Sequence, residues 1–305
     1  MPGPRFKFLF LSPNYWAYWV LLLLIGIATL LPRRVSGVVG AGIGNLFRIG
    51  NTKRARIART NLQLCFPHYD EEMREKLLIK HFHAYGRGII DLGLVWWASE
   101  KRLRHLIDIK GLESWLEVVK AGERTILVTP HTTCMDLGGI YLSKFFPIVS
   151  MMNRTHNLML TWILWSGRGR FGARILMRDD GIRQFIRSLE QGSAGYMMPD
   201  EDLAQGRTVF APFFGVETST LSVVGRLSKI TEAKIFPTFI RRLNTGRYEI
   251  EIQSYLREFP TGDDIRDAKR INEVFENGIG VKPEQYLWTI KWFNNRPGGG
   301  KSPYV

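Results

Sequence analysis

The sequence predicts an α/β domain with a mainly parallel central sheet flanked by helices, preceded by an amino-terminal membrane-anchor helix. Three observations predict it. Short β-branched or apolar runs alternate with helical runs of ten or more residues through most of the chain. No internal repeat, low-complexity tract or long linker interrupts that alternation. A single uncharged apolar run stands near the start, closed by Pro32 and followed by arginines. The 305 residues suit one large domain or two small ones, and the pattern is read as an anchor over residues 1–38 and one domain over 39–305.

The anchor comes first. "NYWAYWVLLLLIGIATLLP" carries no charge from Tyr15 to Leu31, about 25 Å as a helix and near the lower limit for a span. Tyr15, Trp16, Tyr18 and Trp19 gather at one end, as aromatics do at a membrane interface. A cleavable leader is the competing reading; it fits less well because "LLPRRVSG" offers no small-x-small cleavage site. A buried core helix is the other. Arg5 and Lys7 precede the run. Arg33, Arg34, Arg48, Lys53, Arg54, Arg56 and Arg59 follow it, with no acid until Asp70, which predicts a cytoplasmic body. "NTKRARIART" suits either an anionic bilayer surface or a solvated helix face.

From Tyr69 to Ser99 the pattern reads as one or two helices, with Asp70, Glu71 and Glu72 where they favour the helix dipole. "DIKGLESWLEVVKAGE" gives a short strand and an amphipathic helix. "RTILVT" is a buried strand, "CMDLGGIYLSKFF" the helix after it and "IVSMM" the next strand. "NLMLTWILWSGRGRFG" is a helix, "ARILM" a strand, "GIRQFIRSLEQG" a helix and "AGYMM" a strand. "STLSVVGRLSKIT" reads as a helix, "KIFPTFIRR" and "YEIEIQSYL" as strands. "GDDIRDAKRINEVFENGI" and "PEQYLWTIKWF" read as closing helices.

In such sheets ligands bind at the carboxyl ends of strands, and "TPHTTCMDLGG" stands at one. His131 and Asp136 cannot share one face of a helix, since five steps turn about 500°. A histidine in the loop and an aspartate in the first helical turn can meet. Asp136 would then accept the Nδ1–H of His131 and leave Nε2 free to take a proton, with free N–H groups at the helix start for an oxyanion. The plainer alternative is a satisfied turn or cap. Cys134 and Thr133 are rival nucleophiles, and a buried small side chain explains Cys134 as well.

Lys and Arg number 42 against 28 Asp and Glu, a formal charge of +14, which favours polyanionic partners. The two cysteines, Cys65 and Cys134, provide neither a zinc spacing nor a disulfide framework. "MMPDEDLAQGRTVFAPFFG" sets Asp200, Glu201 and Asp202 after a strand, followed by Gly206 and Arg207. They read as a loop cap, as positions for a polar acceptor with Arg207 on a phosphate, or as metal ligands in no standard cage. Arg154, Arg168, Arg170, Arg174 and Arg178 lie among aromatics and leucines, which suits an amphipathic anionic lipid. Nucleic acid is not expected, because no nucleic-acid motif accompanies the charge.

The whole set resembles the late acyltransferases of bacterial lipid A biosynthesis, the lauroyl/myristoyl transferase group. The matching stretches are the anchor, "ARTNLQLCFP", "HTTCMD", "MNRTHN", "ARILMRDDGIRQFIRSLEQG", "MMPDEDLAQGRTVFAPFFG", "IFPTFIRR" and "PEQYLWTIKWFNNRPGG". Asp136 stands where close members carry Glu, and Glu201 where they carry Gln or His. Wider relatives among the glycerolipid acyltransferases use H-x4-D. The resemblance implies a glycerolipid-acyltransferase-like fold over 39–305. It implies transfer of an acyl chain from acyl carrier protein to a hydroxyl of a lipid A precursor, at the cytoplasmic face of the bacterial inner membrane. It implies His131 as general base, Asp136 orienting it, and Arg154, Arg178, Asp200, Glu201 and Arg207 around the cleft. No cofactor and no metal are expected beyond the carrier thioester. Two alternatives stand beside it: the same chemistry on a lysophospholipid or a phosphatidylinositol mannoside, and a non-catalytic membrane protein that binds anionic lipid.

Overall fold

The computed structural model describes residues 3–202 and 207–304. Its helices are α1 (Trp16–Leu30), α2 (Arg33–Gly50), α3 (Thr52–Cys65), α4 (Glu71–Trp97), α5 (Glu100–Leu106), α6 (Leu112–Lys120), α7 (Met135–Leu142), α8 (Leu158–Arg168), α9 (Ile182–Glu190), α10 (Val223–Thr231) and α11 (Asp264–Gly280). Its strands are β1 (Ile107–Lys110), β2 (Thr125–Val128), β3 (Ile148–Met152), β4 (Arg174–Met177), β5 (Ala194–Met197), β6 (Thr208–Phe213), β7 (Val216–Leu221), β8 (Lys234–Arg242) and β9 (Tyr248–Ile252).

Seven strands form one sheet in the order β1-β9-β8-β2-β5-β3-β4. Every neighbouring pair is parallel except β8 with β9. β2 is buried at every position, as a strand covered on both faces must be. Its alternate residues feed two cores. Ile126 and Val128 face Phe185, Phe275, Trp288 and Trp292; Leu127 faces Trp115, Leu142 and Tyr248. The predicted α/β class is therefore the observed one.

Two predicted elements differ. "STLSVVGRLSKIT" is not one helix: its first residues end β7, and α10 begins only at Val223. β6 and β7 form a separate hairpin turned by Phe214 and Gly215, both at positive φ. A Phe-Gly turn lacks the Asn or Asp that usually announces this geometry. The closing segment "PEQYLWTIKWF" is also not a helix beyond the 3-10 turn Pro283–Gln285. Its four large aromatics, Tyr286, Trp288, Trp292 and Phe293, are all buried, more than one helical stripe can hide. Its backbone is satisfied from afar instead. The Asn61 amide donates to the carbonyls of Trp288 and Ile290 at 2.7 Å each, and Leu287 N–H donates to His131 O at 3.0 Å.

At the amino end, Phe10 is buried with Met159 and Ile163 of α8, and Trp19 Nε1 donates to its carbonyl at 2.8 Å. At the far end of α1, Ile25 and Thr29 lie against α4 at Gly93. Between these docked ends Val20, Leu21, Leu23, Leu24 and Ile27 are exposed. Residue 38 lies inside α2, which packs along α4 through Gly40, Gly44 and Gly86. Arg33, at the start of α2, is not at a free surface: with Arg242 it holds the buried Asp91, at 2.8 and 3.1 Å.

Candidate active site

β2 and β5 are parallel neighbours with Val128 opposite Met197. The chain leaves both strands at the same edge, and Thr129 N–H still donates to Met197 O at 3.1 Å. His131 and Asp200 each follow a few residues on, and they meet. His131 Nδ1–H donates to Asp200 Oδ1 at 2.6 Å, and its backbone N–H donates to Oδ2 at 2.9 Å. Tyr286 adds its hydroxyl to Oδ2 at 3.1 Å. The carboxylate thus has three donors, as a buried anion requires. Tyr286 stacks on Trp292 at 4.9 Å, and the Trp292 ring lies 5.8 Å from the imidazole. The closing segment that sequence pattern reads as a helix is what walls the pair off.

This corrects the partner expected for His131. Asp136 lies in the first turn of α7, but its carboxylate turns to Arg168, the last residue of α8, at 2.8 Å to Nε and 3.2 Å to Nη2. Arg168 outcompetes the imidazole because its fork matches both carboxylate oxygens. Gly138 and Gly139 do allow close packing: a Cβ there would fall 2.2 Å from Ile240 and 2.7 Å from Tyr196.

The acids after β5 diverge. Glu201 Oε2 pairs with Arg178 at 2.9 Å while Oε1 stands 3.6 Å from His131 Nε2. Asp202 binds the backbone and side-chain amides of Asn295 at 2.8 and 2.6 Å. Among the described residues the three acids thus turn to three separate partners. Gly206, from the same motif, lies outside the described residues.

A cavity of about 600 Å³ opens beside His131. Arg168, Arg178, Glu201 and Arg207 give it polar walls, and Met135, Met151, Met152, Met197, Met198 and Leu164 an apolar one. Flexible methionines and leucine suit a long, conformationally variable chain. Arg154 is not among its walls, although Asn153 and Thr155 flank the same stretch. It is half exposed and pairs with Asp179 at 3.5 Å. Sequence reasoning left Arg168, Tyr286 and Trp292 out of the site. Arg168 was visible only as one of a group of arginines.

Burial works against a charged His131, but Asp200 on Nδ1 and Glu201 nearby outweigh it, and the pKa is raised above the ordinary histidine value; Arg168 opposes this. Cys134 is buried, donates its thiol to Ile240 O at 3.2 Å, and is pushed up to about 12 by burial. Such a thiol is not a nucleophile near neutral pH.

At the strand ends of this mainly parallel sheet, a buried His–carboxylate pair opens on a cavity with one polar and one apolar wall. The family described as bacterial lipid A biosynthesis acyltransferase matches residues 3–295. A lipid A biosynthesis acyltransferase of Haemophilus influenzae is 32% identical over 97% of this chain and 93% of its own. The lipid A biosynthesis palmitoleoyltransferase of Escherichia coli is 30% identical over 100% and 99%. The myristoyltransferase of the same organism is 30% identical over 99% and 94%. The chain belongs to the bacterial lipid A biosynthesis acyltransferases.

Proposed function

We propose that the protein transfers a fatty acyl chain from an acyl carrier protein thioester to a hydroxyl of a lipid A precursor, with His131 as general base. The acceptor O–H gives its proton to Nε2, the oxygen attacks the thioester carbonyl, the C–S bond breaks, and the imidazolium returns the proton to the departing thiolate. Asp200 fixes the Nδ1–H tautomer and stabilises the imidazolium. Arg168, held by Asp136, brings positive charge to the developing oxyanion. Arg178, Glu201 and Arg207 receive polar parts of the acceptor. An already activated thioester needs no further electrophile. The observation that carries this reading is the His131–Asp200 pair opening on a cavity with one apolar and one cationic wall.

The charge of +14 favours both an acidic carrier protein and a phosphorylated acceptor. The exposed apolar face of α1 supports membrane seating, and the arginines after it favour the more anionic cytoplasmic leaflet, which sets the body on that side. Because both ends of α1 dock on the body, we read it as half-buried in one leaflet rather than crossing.

Mass spectrometry of lipid A from cells with and without the protein tests this directly: an added acyl group is expected only with it. Purified protein that acylates a lysophospholipid and leaves a lipid A precursor untouched would refute the acceptor. A His131→Ala variant that folds and transfers at the wild-type rate would refute the base.

A further inference from the structure

A second cavity, of about 370 Å³, lies on the other side of the His131–Asp136 loop: Thr133 lines it, whereas His131 lines the first. Four arginines face it, Arg33 and Arg34 from α2, Arg87 from α4 and Arg242 from the end of β8, against the single carboxylate Glu284 in its wall. The buried Asp91 already engages Arg33 and Arg242. Arg87 donates Nε to Gly37 O at 3.0 Å, and among the described residues neither Arg87 nor Arg34 forms an ion pair. Arg87 is held below the ordinary arginine value, by burial first and by Arg242 second. Asp91 and Glu284 act in the opposite direction and do not restore it.

The mouth has a definite setting. Arg34 is exposed beside Val35 and Val38, and α2 continues with Val39, Leu46 and Ile49 exposed on its outer side. Val38, at 72% exposure, stands on the cavity rim. This apolar strip directly follows α1. A cationic hollow at the edge of an exposed apolar helix matches the phosphate layer of a bilayer, where arginine pairs with phosphate oxygens.

We propose that this cavity is a binding site for the anionic phosphate of a membrane lipid, apart from the acyl-transfer cavity. Arg87 and Arg34 supply guanidinium groups that have no carboxylate partner among the described residues, and Arg33 and Arg242 are the cations already anchored by Asp91. The phosphate has two sources, the acyl acceptor itself or a surrounding phospholipid; the first rests on the function proposed above and the second does not.

The test uses full-length protein in neutral detergent with Arg87→Gln, Arg87→Lys and Arg34→Gln. One arm measures KM for a phosphorylated disaccharide acceptor and for its dephosphorylated form. The other measures the rise in Tm on adding phosphatidylglycerol against diacylglycerol. An acceptor phosphate predicts that Arg87→Gln raises KM about ten-fold or more for the phosphorylated acceptor alone, the loss of one charge-assisted hydrogen bond, with Arg87→Lys recovering part of it. A phospholipid headgroup predicts that Arg87→Gln and Arg34→Gln remove the phosphatidylglycerol stabilisation and leave both KM values alone. If wild-type protein transfers to neither acceptor, the proposed function fails while the Tm arm still reads the site. Folded variants that match wild type in both arms would overturn the proposal. Arg34→Gln, at an exposed position, keeps the test open should Arg87→Gln not fold.

Discussion

Asp200→Asn is the sharpest probe of the site. The substitution keeps shape but converts one carboxylate oxygen to an NH2 group. The backbone N–H of His131, at 2.9 Å, and the Tyr286 hydroxyl, at 3.1 Å, both need the Oδ2 position to remain an acceptor. The amide nitrogen must then face Nδ1 at the 2.6 Å contact, where it donates. Nδ1 becomes the acceptor, the proton moves to Nε2, and the general base is lost. Holding a buried histidine in the wrong tautomer costs about three to four orders of magnitude in kcat, or about 4–5.5 kcal/mol of barrier. The pH profile moves as well. In the proposed role His131 acts when neutral, and its pKa is raised chiefly by Asp200 against burial, so wild-type kcat/KM is expected to rise with pH through a value above that of free histidine. In Asp200→Asn the residual activity has its limb shifted down. The same raised pKa stabilises the fold fully below the unfolded histidine value of about 6.5 and loses that contribution as pH rises through the folded value. Asp200→Asn flattens this slope in Tm against pH. Initial rates over a pH series, with Tm as the folding control, measure both effects. An Asp200→Asn enzyme that keeps a tenth of kcat with an unmoved limb, while Asp136→Asn loses more, would refute this assignment and restore Asp136 as the orienting acid.

Three further outcomes follow from the packing. Asp136→Asn and Arg168→Ala remove two halves of one unit, so each lowers kcat/KM about 10- to 100-fold and the double variant falls little below the worse single one; additive losses in the cycle would show that they act separately. Asp91→Ala leaves Arg33 and Arg242 buried without their carboxylate and costs about 3–5 kcal/mol in denaturant unfolding; a loss under 1 kcal/mol would mean that water reaches both guanidinium groups. Gly44→Ala sets a Cβ 1.8 Å from Phe82 O and forces α2 off α4, lowering stability by about 2 kcal/mol or more, whereas Gly42→Ala, with nothing within 4 Å, raises it by about 0.5–1 kcal/mol; equal shifts would refute the close helix contact.

The sheet was legible because its strands are short buried runs set off by helices with ordinary amphipathic faces. The two misread elements share a cause. β6–β7 turns on Phe-Gly, and the closing segment "PEQYLWTIKWF" has a spacing of aromatics that serves a helix as well as an irregular chain buried from several sides. In both, distant partners decide: Asn272 of α11 donates to Pro212 O at 2.9 Å, and Asn61 of α3 holds Trp288 and Ile290. The apolar composition of α1 was plain, but its docking was not, since an exposed apolar helix and one pinned at both ends look alike in sequence.

The site shows where local spacing stops being informative. His131 and Asp136 are near in sequence, and the helix start makes their meeting sterically reasonable. His131 and Asp200 are far apart in sequence, yet β2 and β5 are parallel neighbours and Val128 stands opposite Met197. Equal short extensions from paired residues bring their ends together whatever separates them along the chain. The H-x4-D spacing instead serves to carry Arg168 to the cavity, through the acid that α7 presents to the end of α8. The histidine motif and the Pro-Asp-Glu motif are therefore halves of one constellation, and the order of strands in the sheet joins them.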